Sequence, residues 1–140
     1  MTAVLQPSRV AVVPLLANFD VELLTVTARP VVSGAVVLAV RGEVDSCTSP
    51  LLKIRLLEHV RPTDPPLVID LTDVSFLGAA GLTVLVTVRE AAMAAGIALC
   101  LVGCTRPVLL PLKVTGLDGV FDICPDIAHA LLRLGCGPDG

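Results

Sequence analysis

Few residues of this 140-residue chain could carry chemistry. The thiols are Cys47, Cys100, Cys104, Cys124 and Cys136, and the imidazoles are His59 and His129. Zinc held by such groups needs ligands paired at short spacing. Cys124, Cys136, His59 and His129 offer no such pair, so no metal is expected and both histidines read as surface residues. Nucleophilic catalysis finds no footing either. Gly78-Ala79-Ala80-Gly81 has the outline of a G-x-S-x-G elbow but places alanine where the nucleophile belongs. A G-x-x-x-x-G-K-[ST] phosphate loop is absent. Asp70 and Asp73 flank an expected turn, where carboxylates usually cap backbone or face water. The expectation is a protein that is not an enzyme and takes no cofactor.

Two thiols invite a redox reading. Cys47 follows Asp45 just ahead of an expected helix start, a setting that stabilises thiolates, and Cys104 follows a buried strand. If their loops share one edge of a sheet, a Cys47–Cys104 disulfide is a candidate switch. Cys100, between Leu99 and Leu101, is core, and four extended residues (roughly 13 Å) are too long for a Cys100–Cys104 bond. An odd cysteine count without C-x-x-C suits reduced thiols and a cytoplasmic setting.

Composition narrows the classes. Hydrophobic residues make up 54% and charged residues 16%, with three Phe, no Trp and no Tyr. The net charge of −3 and scattered basic residues exclude a nucleic-acid surface, and no aromatic platform for base stacking can be built. No run of about 18 uncharged apolar residues exists to span a membrane. The segment from Val10 to Ala17 has the look of a signal-peptide core, but it is short, contains Pro14 and is followed by no small-x-small site. The apolar excess therefore goes into an aliphatic core.

The elements that must position these residues begin after an N-terminal arm, 1–20, read as either an extra strand or a disordered segment. Val21–Ala28 alternates like a half-exposed strand, and Ala35–Val40 is continuously aliphatic, as in a strand covered on both faces. A helix follows, with Ser49 as N-cap, Pro50 at its first position and a stripe of Leu52, Leu56 and Val60 flanked by Ile54 and Leu57. Leu67–Leu71 is a second buried strand. A helix over Ala79–Ala95 shows Leu82, Leu85, Val86, Arg89 and Met93 at helical spacing and closes at Gly96. Ile97–Val102 is a third buried strand. A short helix capped by Thr105, with Pro111 inside it, runs to Gly116. A last strand over Val120–Ile123 and a helix over Asp126–Leu134 complete the domain, 21–136, ahead of a tail, 137–140. Strands alternating with helices predict an α/β fold, a mostly parallel (mixed) sheet of about five strands with flanking helices.

Four segments rise above that pattern: Arg41-Gly42-Glu43-Val44-Asp45-Ser46-Cys47-Thr48-Ser49-Pro50; Leu67 through Leu82, with Asp70-Leu71-Thr72-Asp73-Val74-Ser75-Phe76-Leu77-Gly78-Ala79-Ala80-Gly81 at its centre; Leu101-Val102-Gly103-Cys104-Thr105-Arg106-Pro107; and Val114-Thr115-Gly116-Leu117. In this order and spacing they closely resemble the STAS family of anti-sigma-factor antagonists, over about Val21 to Leu134. The resemblance implies a bacterial regulatory protein that binds a kinase-like anti-sigma factor, a histidine-kinase-like ATPase, so that a sigma factor goes free.

In the typical member the position of Gly78-Ala79-Ala80-Gly81 reads Asp-Ser-Ser-Gly, and the partner phosphorylates the serine before the glycine, ending binding. Here Ala79 and Ala80 carry no hydroxyl, so phosphorylation at the standard position, Ala80, is chemically impossible. Asp45 matches the family's other acidic position. Thr83 and Ser75 are the nearby hydroxyls and weak candidates for modification, read in preference as a surface threonine and a turn serine. The expected partner-binding residues are Asp45, Ser46, Cys47, Thr48, Gly78, Ala79, Ala80, Gly81, Leu82 and Thr83, with Cys47 and Cys104 the redox candidates. The alternatives are an accessory subunit of a transporter or signalling complex, and a sensor binding a nucleotide or other small ligand at the helix start. A monomer or weak homodimer is expected.

Overall fold

The computed structural model describes residues 23–31 and 33–135. The arm at 1–20, the tail at 137–140 and Cys136 lie outside the described residues. Strand β1 (Leu24–Pro30) leads to β2 (Val36–Val44), helix α1 (Ser49–Leu57), β3 (Leu67–Leu77), α2 (Ala79–Ala95), β4 (Leu99–Val102), α3 (Arg106–Val114), a 3-10 turn (Leu117–Gly119), β5 (Ile123–Cys124) and α4 (Ile127–Arg133). The five strands lie in chain order, β1 antiparallel to β2 and the rest parallel, as the strand–helix alternation predicts.

Successive side chains of a strand point to opposite faces, so the central strands β2, β3 and β4 each feed two cores. Leu38, Val40, Leu67, Ile69, Leu71 and Leu101 pack with Leu52 and Leu56 of α1, Leu85 and Val88 of α2 and Val108 and Leu112 of α3. Val37, Val68, Cys100, Val102 and Cys124 pack beneath Ala130 and Leu131 of α4. Burial together with the charge of Asp122 pushes the Cys100 thiol up to about 12, so it stays protonated at neutral pH.

The elements differ from expectation in ways that have local causes. The first strand is described from Leu24 to Pro30, past its expected end at Ala28, with Val21 outside the described residues, and the third parallel strand starts at Leu99, not Ile97. Ile54 and Met93 lie outside the apolar faces, at 58% and 62% exposure; the buried face of α2 runs instead through Leu82, Val84, Leu85, Val88 and Ala92. The helix runs from Ala79 to Ala95 and ends on Gly96 in the left-handed conformation, as its sequence predicts. The last strand is displaced to Ile123–Cys124, because a 3-10 turn occupies Leu117–Gly119. Thr105 does precede α3, but its hydroxyl caps nothing. Asp126 does cap α4: its carboxylate accepts the His129 N–H and contacts the imidazole Nδ1, and these bonds hold its carboxyl below the ordinary carboxylate range.

The largest departure is at Thr72–Asp73, where a turn was expected. The strand continues to Leu77. Register slips against β2 between Asp70 and Asp73 and again between Val74 and Phe76, each adding one residue to β3. These two bulges turn Leu71, Val74 and Leu77, spaced by three, toward the same core. Gly78 alone then connects strand to helix.

Candidate functional site

The site is built where β2 and β3 end together, Val44 beside Leu77. The Gly78 N–H donates to the Val44 carbonyl at 2.8 Å, fastening the start of α2 to the end of β2. Gly81 completes the fit. A Cβ there would lie 2.4 Å from Val44 Cγ1 and 2.8 Å from Leu77 Cδ1, so only glycine lets the first turn of α2 sit this close. Gly81 and Leu82 are buried, and Gly81 seats the first turn of α2 against Val44 and Leu77.

Asp45 organises the neighbouring loop. Its Oδ1 accepts the backbone N–H groups of Cys47 (2.9 Å) and Thr48 (3.0 Å) and lies 3.2 Å from the Thr48 hydroxyl. That hydroxyl donates to the Glu43 carbonyl at 2.7 Å and lies 3.0 Å from the Asp45 N–H. Thr48 is the N-cap residue of α1, and Ser49, expected in that role, is its buried first residue. The carboxylate thus closes the loop from within, whatever it also offers a partner. Asp45→Ala is expected to cost about 1–2 kcal/mol of stability, the range for a lost helix cap. Asp45→Asn, whose amide oxygen can accept in place of the carboxylate oxygen, should stay within about 0.5 kcal/mol of the parent. Urea denaturation of the two variants checks this.

What remains at the surface is one corner. Ser46, Cys47, Ala79 and Thr83 are exposed, and Thr48, Gly78 and Ala80 are half-buried. Beside them stands Phe76, 51% exposed, its ring 3.0 Å from where a Gly78 Cβ would be. Phe76 was missed from sequence. The signal available was that Leu71, Val74 and Leu77 share a three-residue spacing that leaves Phe76 facing out. The first turn of α2 carries no acidic residue and no side-chain cap, so this corner combines an aromatic ring, two alanines and backbone N–H groups. Two nearby hydroxyls bond inward: Thr83 Oγ1 donates to the Ala79 carbonyl at 3.1 Å and Ser75 Oγ to the Gly42 carbonyl at 3.3 Å.

Cys104 belongs elsewhere. Strand β4 ends at Val102 opposite Asp70, and Asp70 lies opposite Ala39, five residues short of Val44 in β2. Five strand steps less the two residues to Cys104, combined with two strand spacings across, put Cys104 roughly 14 Å from the end of β2 at Val44. A disulfide needs Cα atoms within about 7 Å. Both thiols are exposed and free.

The sequence profile of the STAS domain matches residues 27–130, three-quarters of the chain, from within β1 through β5. The chain belongs to the STAS family. Among solved structures, this STAS domain is similar to an anti-sigma factor antagonist from Mycobacterium paratuberculosis, at 31% identity and a TM-score of 0.74 over 80% of this chain and 94% of that one. It shares the fold of the Bacillus cell fate determinant SpoIIAA in its phosphorylated form, at 14% identity and a TM-score of 0.60 over 79% and 99% of the two chains. It also shares that of the murine anion transporter Slc26a9, at 15% identity and a TM-score of 0.66 over 87% of this chain and 24% of the transporter. A comparison with curated proteins finds no match. Among the described residues, no helix of the STAS domain is long and apolar enough to cross a membrane.

Proposed function

We propose that this STAS domain is a cytoplasmic anti-sigma-factor antagonist that docks on a histidine-kinase-like anti-sigma factor and cannot be released by phosphorylation at the helix start. The observation that carries the reading is the Gly78–Val44 hydrogen bond, which joins two loops into one exposed corner of small residues around Phe76. Small side chains at Gly78, Ala79 and Ala80 let a partner backbone approach the start of α2. The neighbouring Phe76 and the methyl groups of the alanines supply apolar area, worth about 25 cal/mol for each Å² removed from water. Likeness to an anti-sigma factor antagonist at 31% identity supports the partner class. The work is recognition, and no residue of the corner is assigned a catalytic step.

The phosphate switch is the part this chain has lost. Ala79 and Ala80 offer no oxygen to a kinase, and the nearby Thr83 and Ser75 hydroxyls are committed to backbone carbonyls. Mixed with the purified anti-sigma factor of its own organism, the protein is expected to form a complex that persists when ATP and magnesium are added. Size-exclusion chromatography reads the complex, and intact-mass spectrometry should show no added phosphate. ATP-driven dissociation with phosphate on Thr83 or Ser75 would contradict the reading, as would no complex at all.

A further inference from the structure

Away from the corner, three metal-ligating side chains converge at the far edge of the sheet. Cys100 on β4 and Cys124 on β5 are each 1% exposed, and Asp122 sits at the start of β5. The two sulfurs and a carboxylate oxygen lie within 4.8 Å of one another, the one such group among the described residues. Cys100 Sγ is 3.6 Å from Asp122 Oδ2. Zinc bound to a thiolate at about 2.3 Å and to a carboxylate at about 2.1 Å with tetrahedral angles holds sulfur and oxygen about 3.6 Å apart. The edge of a zinc tetrahedron is therefore already set.

The surroundings hold it. The other oxygen of Asp122, Oδ1, accepts from the Arg133 guanidinium, which turns Oδ2 toward the thiols, much as hydrogen-bonded neighbours orient metal-bound carboxylates. Ala130 and Leu131 of α4 pack with both cysteines in one apolar cluster, while Asp122 stays half-buried at the solvent edge.

We propose that Cys100, Cys124 and Asp122 form a binding site for a thiophilic divalent cation, zinc above all. Two thiolates and one carboxylate fill three places, and the fourth lies toward solvent beside Asp122. Binding forms two metal–sulfur bonds and one metal–oxygen bond and releases the two thiol protons to water. The ion would clip the two-residue strand β5 to β4.

Cobalt added alone to the reduced, full-length protein tests this. One equivalent should bind with an intense thiolate-to-cobalt charge-transfer band, and zinc should displace it. Cys124→Ser should abolish the band and Asp122→Asn should weaken binding at least tenfold. A Cys47→Ser/Cys104→Ser/Cys136→Ser variant should behave as the parent. Circular dichroism checks that each variant folds; if Cys124→Ser does not, the Asp122→Asn and triple variants decide. No band in the parent, a band lost in the triple variant, or unchanged affinity in Asp122→Asn would overturn the site.

Discussion

Alanine in place of Gly42 is expected to destabilise the domain by about 3 kcal/mol, or to prevent its folding. Gly42 has φ +117°, and a Cβ there would lie 2.0 Å from the Leu23 carbonyl oxygen and 2.9 Å from its carbon. Left-handed backbone costs an L-residue about 1–2 kcal/mol, and forcing extra volume into packed structure about 1–3 kcal/mol more. The obstacle is main chain, so no rotamer change relieves it. To make room, β1 must pull away at Leu24, breaking the 2.8 Å bond from the Glu43 N–H to the Leu23 carbonyl. Gly42 lies two residues before Val44, the carbonyl that receives Gly78, so the damage reaches the docking corner. Urea denaturation measures the loss; a change below about 1 kcal/mol would show that the strand pair yields more easily than its geometry implies.

The parts of the fold written in regular periods were legible in the sequence. Helix α2 and its glycine stop followed from helical spacing ended by Gly96, and the parallel sheet followed from aliphatic runs alternating with helices. What was not legible depends on broken periods or on contacts distant in the chain. Two bulges replace the two-residue alternation in β3 with the Leu71, Val74, Leu77 spacing, and this broken period is what leaves Phe76 exposed. Gly81 looked like a rim residue because its neighbours Val44 and Leu77 are adjacent only in three dimensions. Asp45 looked like a charge offered to a partner, although a carboxylate three residues before a helix cap also closes the loop. Cys104 shares the direction of Cys47 at a strand end, but strand lengths, which local pattern defines poorly, place it well below the corner.

Glutamate in place of Ala80 carries the second large effect and bears most directly on the function. Ala80 lies in the first turn of α2, where no acidic residue is present. A carboxylate is favoured there by the helix dipole, by about 0.3–1 kcal/mol, so the fold should be unharmed. Against a docked partner the same charge must be desolvated without a counterion or meet the partner's own acidic groups, a cost of several kcal/mol. Titration calorimetry of the Ala80→Glu variant against the anti-sigma factor, with thermal denaturation run in parallel, is the decisive measurement. The account predicts an unchanged or slightly raised Tm and a Kd at least about 100-fold weaker, equivalent to about 2.7 kcal/mol. Parent-like affinity in a folded variant would contradict it.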